Sequence, residues 1–138
     1  MTSFFAQLVG GLQDDFDTNI ATPNQLRVAW PNAPFEESAA DVVWADLQVK
    51  SSGDDEQMDV GAVVKDYRKS GRLHVNLYSQ PETGEGAALA LADLIAARYR
   101  TVEIAGCSFD TPTIEPGTLT GPWWRTTIRC PFDAQYAA

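Results

Sequence analysis

GRLHVNLYSQPETGEGAALALADLIAARY, residues Gly71 to Tyr99, changes its hydrophobic period halfway along, and that change sets the fold class. Arg72 to Tyr78 alternates, with Leu73, Val75 and Leu77 on one face and Arg72, His74, Asn76 and Tyr78 on the other. A period of two is that of a half-buried strand. Ser79 to Gly86 breaks the pattern with Pro81, Gly84 and Gly86, residues that punctuate structure. From Ala87 to Tyr99 the period turns helical, with Ala87, Leu91, Leu94, Ile95 and Arg98 recurring at three and four. The alanines favour helix. Small side chains let the helix lie close to a partner, expected to be the apolar face of the preceding strand.

Before that strand, Met58 to Arg68 also has strand character. The two runs predict a hairpin closed by Lys69-Ser70-Gly71, with Gly71 at the left-handed position of a three-residue loop. That register pairs Tyr67 with Leu73 and Val63 with Leu77, sets Asp66 opposite His74, and leaves Lys65 opposite Val75 as its one misfit. A two-residue loop would mix the faces.

Ser3 to Phe16 predicts an amphipathic helix, because Phe5, Leu8, Val9, Leu12 and Phe16 fall at helical spacing. Gly10 and Gly11 weaken it by about 1 kcal/mol each relative to Ala. Asp14, Asp15 and Asp17 gather at its C-terminal end, which the macrodipole disfavours for acids. They form either a solvated helix end or a contact. Leu26 to Trp30 predicts a short strand stopped by Pro31 and Pro34, and Asp41 to Lys50 predicts a longer one. On the latter, Val43, Ala45, Leu47 and Val49 share one face, and Val42 and Trp44 the other. Ser51 to Asp59 is acidic and lacks apolar anchors, so a mobile loop is expected. After the helix, Thr101 to Phe109 predicts a strand and Asp110 to Pro122 a loop with three prolines and two glycines. Trp123 to Phe132 predicts the last strand, with DAQYAA a tail. Trp124, Thr126, Ile128 and Cys130 share one of its faces; Trp123, Arg125, Thr127 and Arg129 share the other. The order is that of an α+β domain: a mainly antiparallel sheet of about five to six strands with two helices on one face.

At 138 residues the chain is expected to be one domain with a real core. Hydrophobic residues make up 44% and charged residues 21%, the balance of an ordinary globular chain. No run approaches the roughly 18 apolar residues of a membrane span. The first residues, MTSFFAQLVGGLQDDFD, lack the basic start of a signal peptide. A net charge of −9 argues against a surface that grips phosphate or anionic lipid. Two cysteines, Cys107 and Cys130, are too few for a disulfide scaffold, and both are expected to be reduced and buried.

Signals of chemistry are sparse. His74 is the only histidine, so any nucleophile–histidine pair must use it; a surface partner for Asp66 is the commoner role. One His and two distant Cys make no zinc site. Gly84-Glu85-Gly86 lacks both a Walker lysine and the spacing of a dinucleotide loop. Asp41 with Gln48-Val49-Lys50 is a fragment of a metal-dependent nuclease motif, with Gln48 where an acid usually stands. Asp54, Asp55 and Glu56 carry the oxygens a hard cation takes, although a solvated acidic loop is the commoner form of such a run. No cofactor is expected. The remaining features concern surfaces. Adjacent Trp123 and Trp124 point to opposite faces, so burying both requires cover on both sides of the sheet. One side falls to the helices. On the other, Trp123 packs either under the Pro-rich loop or against another subunit, where tryptophan is enriched.

Trp30-Pro31-Asn32 followed by Pro34-Phe35, the strand Leu73 to Tyr78, the helix Gly86 to Leu94, and the closing Trp123-Trp124-Arg125 to Cys130-Pro131-Phe132 occur in an order that resembles the tail terminator family of long-tailed phages. The resemblance, to minor tail protein U-like chains, spans nearly the whole sequence and includes no catalytic signature. It implies a virion structural protein without enzymatic activity. Such proteins form a ring, commonly a hexamer, at the head-proximal end of the tail, assembled in the host cytoplasm. The ring caps the tail tube protein, stops its polymerisation and meets the head–tail connector. DNA passes through the lumen only as a passenger, which acidic walls would repel; no membrane is involved. The interface candidates are Asp54, Asp55 and Glu56 of the acidic stretch, the basic Lys65, Arg68, Lys69 and Arg72, and Trp123, Arg125 and Arg129 of the last strand. A neighbouring neck or head-completion protein is the alternative, and a small nuclease a remote one.

Overall fold

A computed structural model describes residues 4–31, 34–36, 43–51, 56–57, 66–81 and 85–137. Helix α1 (Phe4–Phe16) runs on through one π-helical turn (Asp17–Ala21). Three strands follow: β1 (Arg27–Ala29), β2 (Val43–Ser51) and the short β3 (Glu56–Gln57). Strand β4 (Asp66–Ser79) leads to helix α2 (Glu85–Arg98). The chain then makes β5 (Glu103–Ile104), β6 (Cys107–Phe109), β7 (Thr113–Thr120) and β8 (Trp123–Ala137).

The described strands form one eight-stranded sheet in the order β1-β2-β4-β8-β6-β5, with β3 alongside β4 and β7 alongside β8. Only β1 against β2 is parallel. The long pair β4–β8 is its spine, in register from Asp66↔Ala137 to Ser79↔Trp124. Strands β2 and β3 line one edge of β4, and β7 and β6 line the far edge of β8. This is an α+β fold with a curled, mostly antiparallel sheet.

Alternation decides which face is covered. Register places Ala45, Leu47 and Val49 of β2 beside Leu77, Val75 and Leu73 of β4, and these beside Thr126, Ile128 and Cys130 of β8. Leu8, Leu12 and Phe16 of α1 and Ala88, Ala92 and Ile95 of α2 share one buried cluster with this face. Each Leu, Ile or Phe so enclosed contributes about 2 kcal/mol. Phe4 stacks on Tyr136, which stacks on Tyr67, so the same face stays closed to the far end of the spine.

Several expectations are corrected. No hairpin turns at Lys69-Ser70-Gly71; β4 passes straight through, so Tyr67 and Leu73, and Asp66 and His74, are residues of one strand rather than partners. Gly71 lies opposite Phe132, and a Cβ there would sit 2.5 Å from the Lys50 carbonyl oxygen and 2.8 Å from the Phe132 ring. It is a packing glycine, held under an aromatic ring. Val63 and Lys65 lie outside the described residues. The expected loop from Ser51 to Asp59 contributes Ser51 to β2 and Glu56–Gln57 to β3; the rest of it lies outside the described residues.

Helix α2 rests on β8 and β4, but with a different stripe inward. Ala88, Ala92, Ile95, Ala96 and Tyr99 are buried, whereas Ala87 and Leu94 point out. The strand expected from Thr101 to Phe109 is a hairpin, β5–β6, turning at Ala105 and Gly106, both with positive φ (55° and 79°). That is the signature of a type I′ turn, with Ala standing where Asn or Gly is usual. The loop expected from Asp110 to Pro122 contains β7, which takes Pro116-Gly117 into a bulge between Glu115 and Thr118. An edge strand tolerates proline at such a place. The tail is strand as far as Ala137.

Candidate interaction faces

The face of the sheet turned away from the helices carries the other half of each strand, and cross-strand register arranges it in rows. The first row is aromatic. Trp44 stacks on Tyr78 at 4.1 Å between ring centroids, meets Trp123 edge-on at 5.8 Å and lies under Phe35 at 4.8 Å. The Arg27 guanidinium covers the Phe35 ring. Trp123 is buried within its own chain, edge-on to Trp44 and opposite Thr120 of β7 in register.

The next row is a hydrogen-bonded chain. Asn76 Nδ2 donates to Asp46 Oδ1 at 2.8 Å, Tyr78 OH donates to Asp46 Oδ2 at 2.7 Å, and Thr127 Oγ1 donates to Asn76 Oδ1 at 2.7 Å. Burial and the bond to Asp46 both push the Tyr78 phenol well above its ordinary range. The network ties β2, β4 and β8 together in register. Beyond it Gln48, His74 and Arg129 line up, and Arg129 pairs with Glu115 of β7. The last row of this patch sets Lys50 directly opposite Arg72. His74 is buried, its Nε2 without a hydrogen-bond partner. Its pKa is lowered first by burial, then by Lys50, Arg129 and Arg72. It is a neutral imidazole among three cations, and it does not pair with Asp66.

Helix α2 supplies a second surface. Its inward stripe is apolar, but so is much of its outward side: Leu89 is 43% and Leu94 51% exposed, among Ala87, Ala90 and Ala97. Asp93 is the one charged residue between them. The lower ends of the two helices are tied together. Asp15 accepts from Arg98 Nη2 at 2.6 Å, from Arg98 Nε at 3.1 Å and from the Tyr99 hydroxyl at 2.8 Å. The hydrogen bond to Asp15 holds the Arg98 guanidinium protonated. Burial first, and then Asp15, raise the Tyr99 phenol. Of the three acids in α1 and its π-helical turn, Asp15 is thus in a contact, while Asp14 and Asp17 are exposed.

The predicted interface residues are scattered. Arg72, Arg125 and Arg129 share the outer face with Trp123. Arg68 also falls on that side, beside Gln135, in an open polar groove with Glu103, Ser108 and Asp133. Lys69 points the other way, its ammonium 5.1 Å from the Phe5 ring centre. Glu56 is placed only as a β3 backbone paired with Arg68. Asp54, Asp55 and Lys65 lie outside the described residues, as does Asp41 of the nuclease fragment. Gln48 and Lys50 do share a face. Among the described residues no group of His, Cys, Asp or Glu is arranged to hold a metal ion, and no helix is long and apolar enough to cross a membrane. Cys107 lies opposite Ala134 and Cys130 opposite Leu73. Four residues along β8 separate the two positions by roughly 13 Å, beyond disulfide reach. Burial pushes both thiols up to about 12.

The Asp46–Asn76–Thr127 chain and the outward leucines of α2 escaped the sequence reading. Alternation placed Asn76 and Thr127 on polar faces. The register that brings them to Asp46 has no local signal.

No family model matches the chain, and no curated protein matches it. Among solved structures, one chain known only by a sequence number is similar with a TM-score of 0.62 at 19% identity, over 93% of this chain and 96% of that one. The likeness is one of fold.

Proposed function

We propose that this chain is a tail terminator of a long-tailed phage, a ring-forming structural protein that caps the tail tube and meets the head connector. The observation that carries the reading is the outward side of α2. A helix apolar over most of its circumference belongs to a buried position, yet the outward side of α2, charged only at Asp93 between Leu89 and Leu94, is exposed. Leu89 and Leu94 are the kind of surface that a neighbouring subunit removes from water. The order of sequence features along the chain supports the same reading, as does the net charge of −9, which suits a lumen that DNA must traverse without sticking.

Deleting the gene from its phage tests the proposal. The expected result is headless tails of uncontrolled length. Normal-length tails that fail to join heads would point to a neck-completion protein instead, and normal virions would overturn the structural role. Leu89→Asp with Leu94→Asp is expected to leave the monomer folded and abolish ring closure, read as the assembled mass on tube ends.

A further inference from the structure

Two groups of like charge on opposite sides of the molecule have no opposing charge among the described residues, apart from Glu115 near the first. On the outer face of the sheet, Lys50 and Arg72 are directly opposite one another, with Arg129 and the buried His74 in the adjoining row. Like charges at directly opposed positions destabilise an antiparallel pair. Glu115, paired with Arg129, is the acid that reaches this patch among the described residues. On the helix side, Asp14 and Asp17 are exposed three residues apart on one helical path, the spacing at which side chains are neighbours. Asp15 between them is already spent on Arg98 and Tyr99. The sheet separates the two groups, because α1 packs on the face that carries Leu73 and Val49, and the cations project from the other. They cannot meet within one chain.

We infer that the Lys50–Arg72 row of one copy receives the Asp14–Asp17 corner of α1 from the next copy. The inference rests on the ring reading and names the contact that orders it. The surfaces are complementary in charge, and each arrangement costs the isolated chain something that the same contact removes. His74 lies in the adjoining row beneath this patch, its buried Nε2 without a partner. A contact between two different surfaces is head-to-tail, so it propagates from copy to copy and closes only as a ring. Charge pairing of this kind chiefly sets direction and partner choice. The apolar side of α2 remains the larger source of buried area.

Charge exchange between variants tests the contact. D14K/D17K and K50E/R72E are each expected to lose self-association, measured by light scattering at low ionic strength. An equimolar mixture of the two should recover it, because every junction again joins opposite charges. The fourfold variant should also assemble, which shows that the substitutions leave the fold intact. Raising the salt should weaken the wild-type assembly. Variants that assemble as the wild type does, or a mixture that stays dispersed, would overturn the contact while leaving the ring to be judged by tail length. Wild-type chains that remain monomeric at every concentration overturn the contact as well.

Discussion

The two faces of the sheet are built from the same strands and solve opposite problems. On the inner face Ala45, Leu47, Leu73, Val75, Leu77, Ile128 and Cys130 are fully enclosed, and the chain supplies every group that touches them. On the outer face the aromatic row is stacked and the Asp46 network is hydrogen-bonded, with the buried Trp44 indole N–H as the row's one polar atom lacking a partner. The Lys50–Arg72 row is not matched in this way, and neither is the outward side of α2. Stability is concentrated where the chain satisfies itself, and association where it does not. Substitutions on the first kind of surface should therefore unfold the monomer, and those on the second should spare or even strengthen it.

The sharpest break is expected at Phe16, fully buried and edge-on to Trp30. Phe16→Ala should lower the unfolding free energy by about 4 kcal/mol, read from denaturant midpoints. Gln48→Ala, on the outer face and exposed, should change it by less than about 0.5 kcal/mol. Equal effects would erase the distinction between the faces. Next in size is Asp15→Ala, which strands the buried Tyr99 hydroxyl and frees a half-exposed Arg98. A loss of about 2 kcal/mol is expected. Asp15→Asn, which keeps an acceptor for the hydroxyl, should lose less.

These contrasts also explain what the sequence made legible. Period-two alternation in Leu73-His74-Val75-Asn76-Leu77 gave the faces of β4 correctly, because one face is wholly buried and polarity has nowhere else to go. Trp123 and Trp124 split to opposite faces for the same reason. Lys69-Ser70-Gly71 misled because glycine serves turns and tight packing alike, and the Lys50 carbonyl and Phe132 ring that crowd Gly71 are 21 and 61 positions away. Helix α2 was legible as a helix but not in its orientation. Ala87, Leu91 and Leu94 satisfy helical spacing as well as Ala88, Ala92 and Ile95 do, and a helix with so few charges offers no polar stripe to choose between them. Strand β7 was hidden by Pro116-Gly117, which sits in its bulge. Of the candidate contacts, Asp15 could be noticed for its position but not matched to Arg98, because a partner 83 residues away leaves no mark in a local window.

The buried imidazole sharpens the comparison through pH. In the folded chain the His74 pKa lies below its ordinary 6.5, owing to burial and to Lys50, Arg129 and Arg72, with Glu115 opposing. Between the folded value and 6.5 the unfolded chain binds more protons than the folded one. Stability from this group is therefore complete above pH 6.5 and is lost as the pH falls toward the folded value. His74→Gln should flatten that part of the stability profile and leave the region above pH 7 unchanged. A profile that still falls equally in the variant would assign the loss to other groups.

The smallest effect is the most telling, because its sign is unusual. Lys50 and Arg72 stand directly opposite across the β2–β4 pair, with no acid between them among the described residues. Lys50→Gln removes one charge and keeps a side chain of similar reach, so the monomer should gain about 0.5 kcal/mol, seen as a rise of roughly 2 °C in the melting temperature. Self-association at low ionic strength should weaken in the same variant. A surface kept only for solubility would lose nothing by that exchange. A gain in stability together with a loss of assembly marks a charge retained for its partner, and a loss of both would place Lys50 with the self-satisfied part of the face.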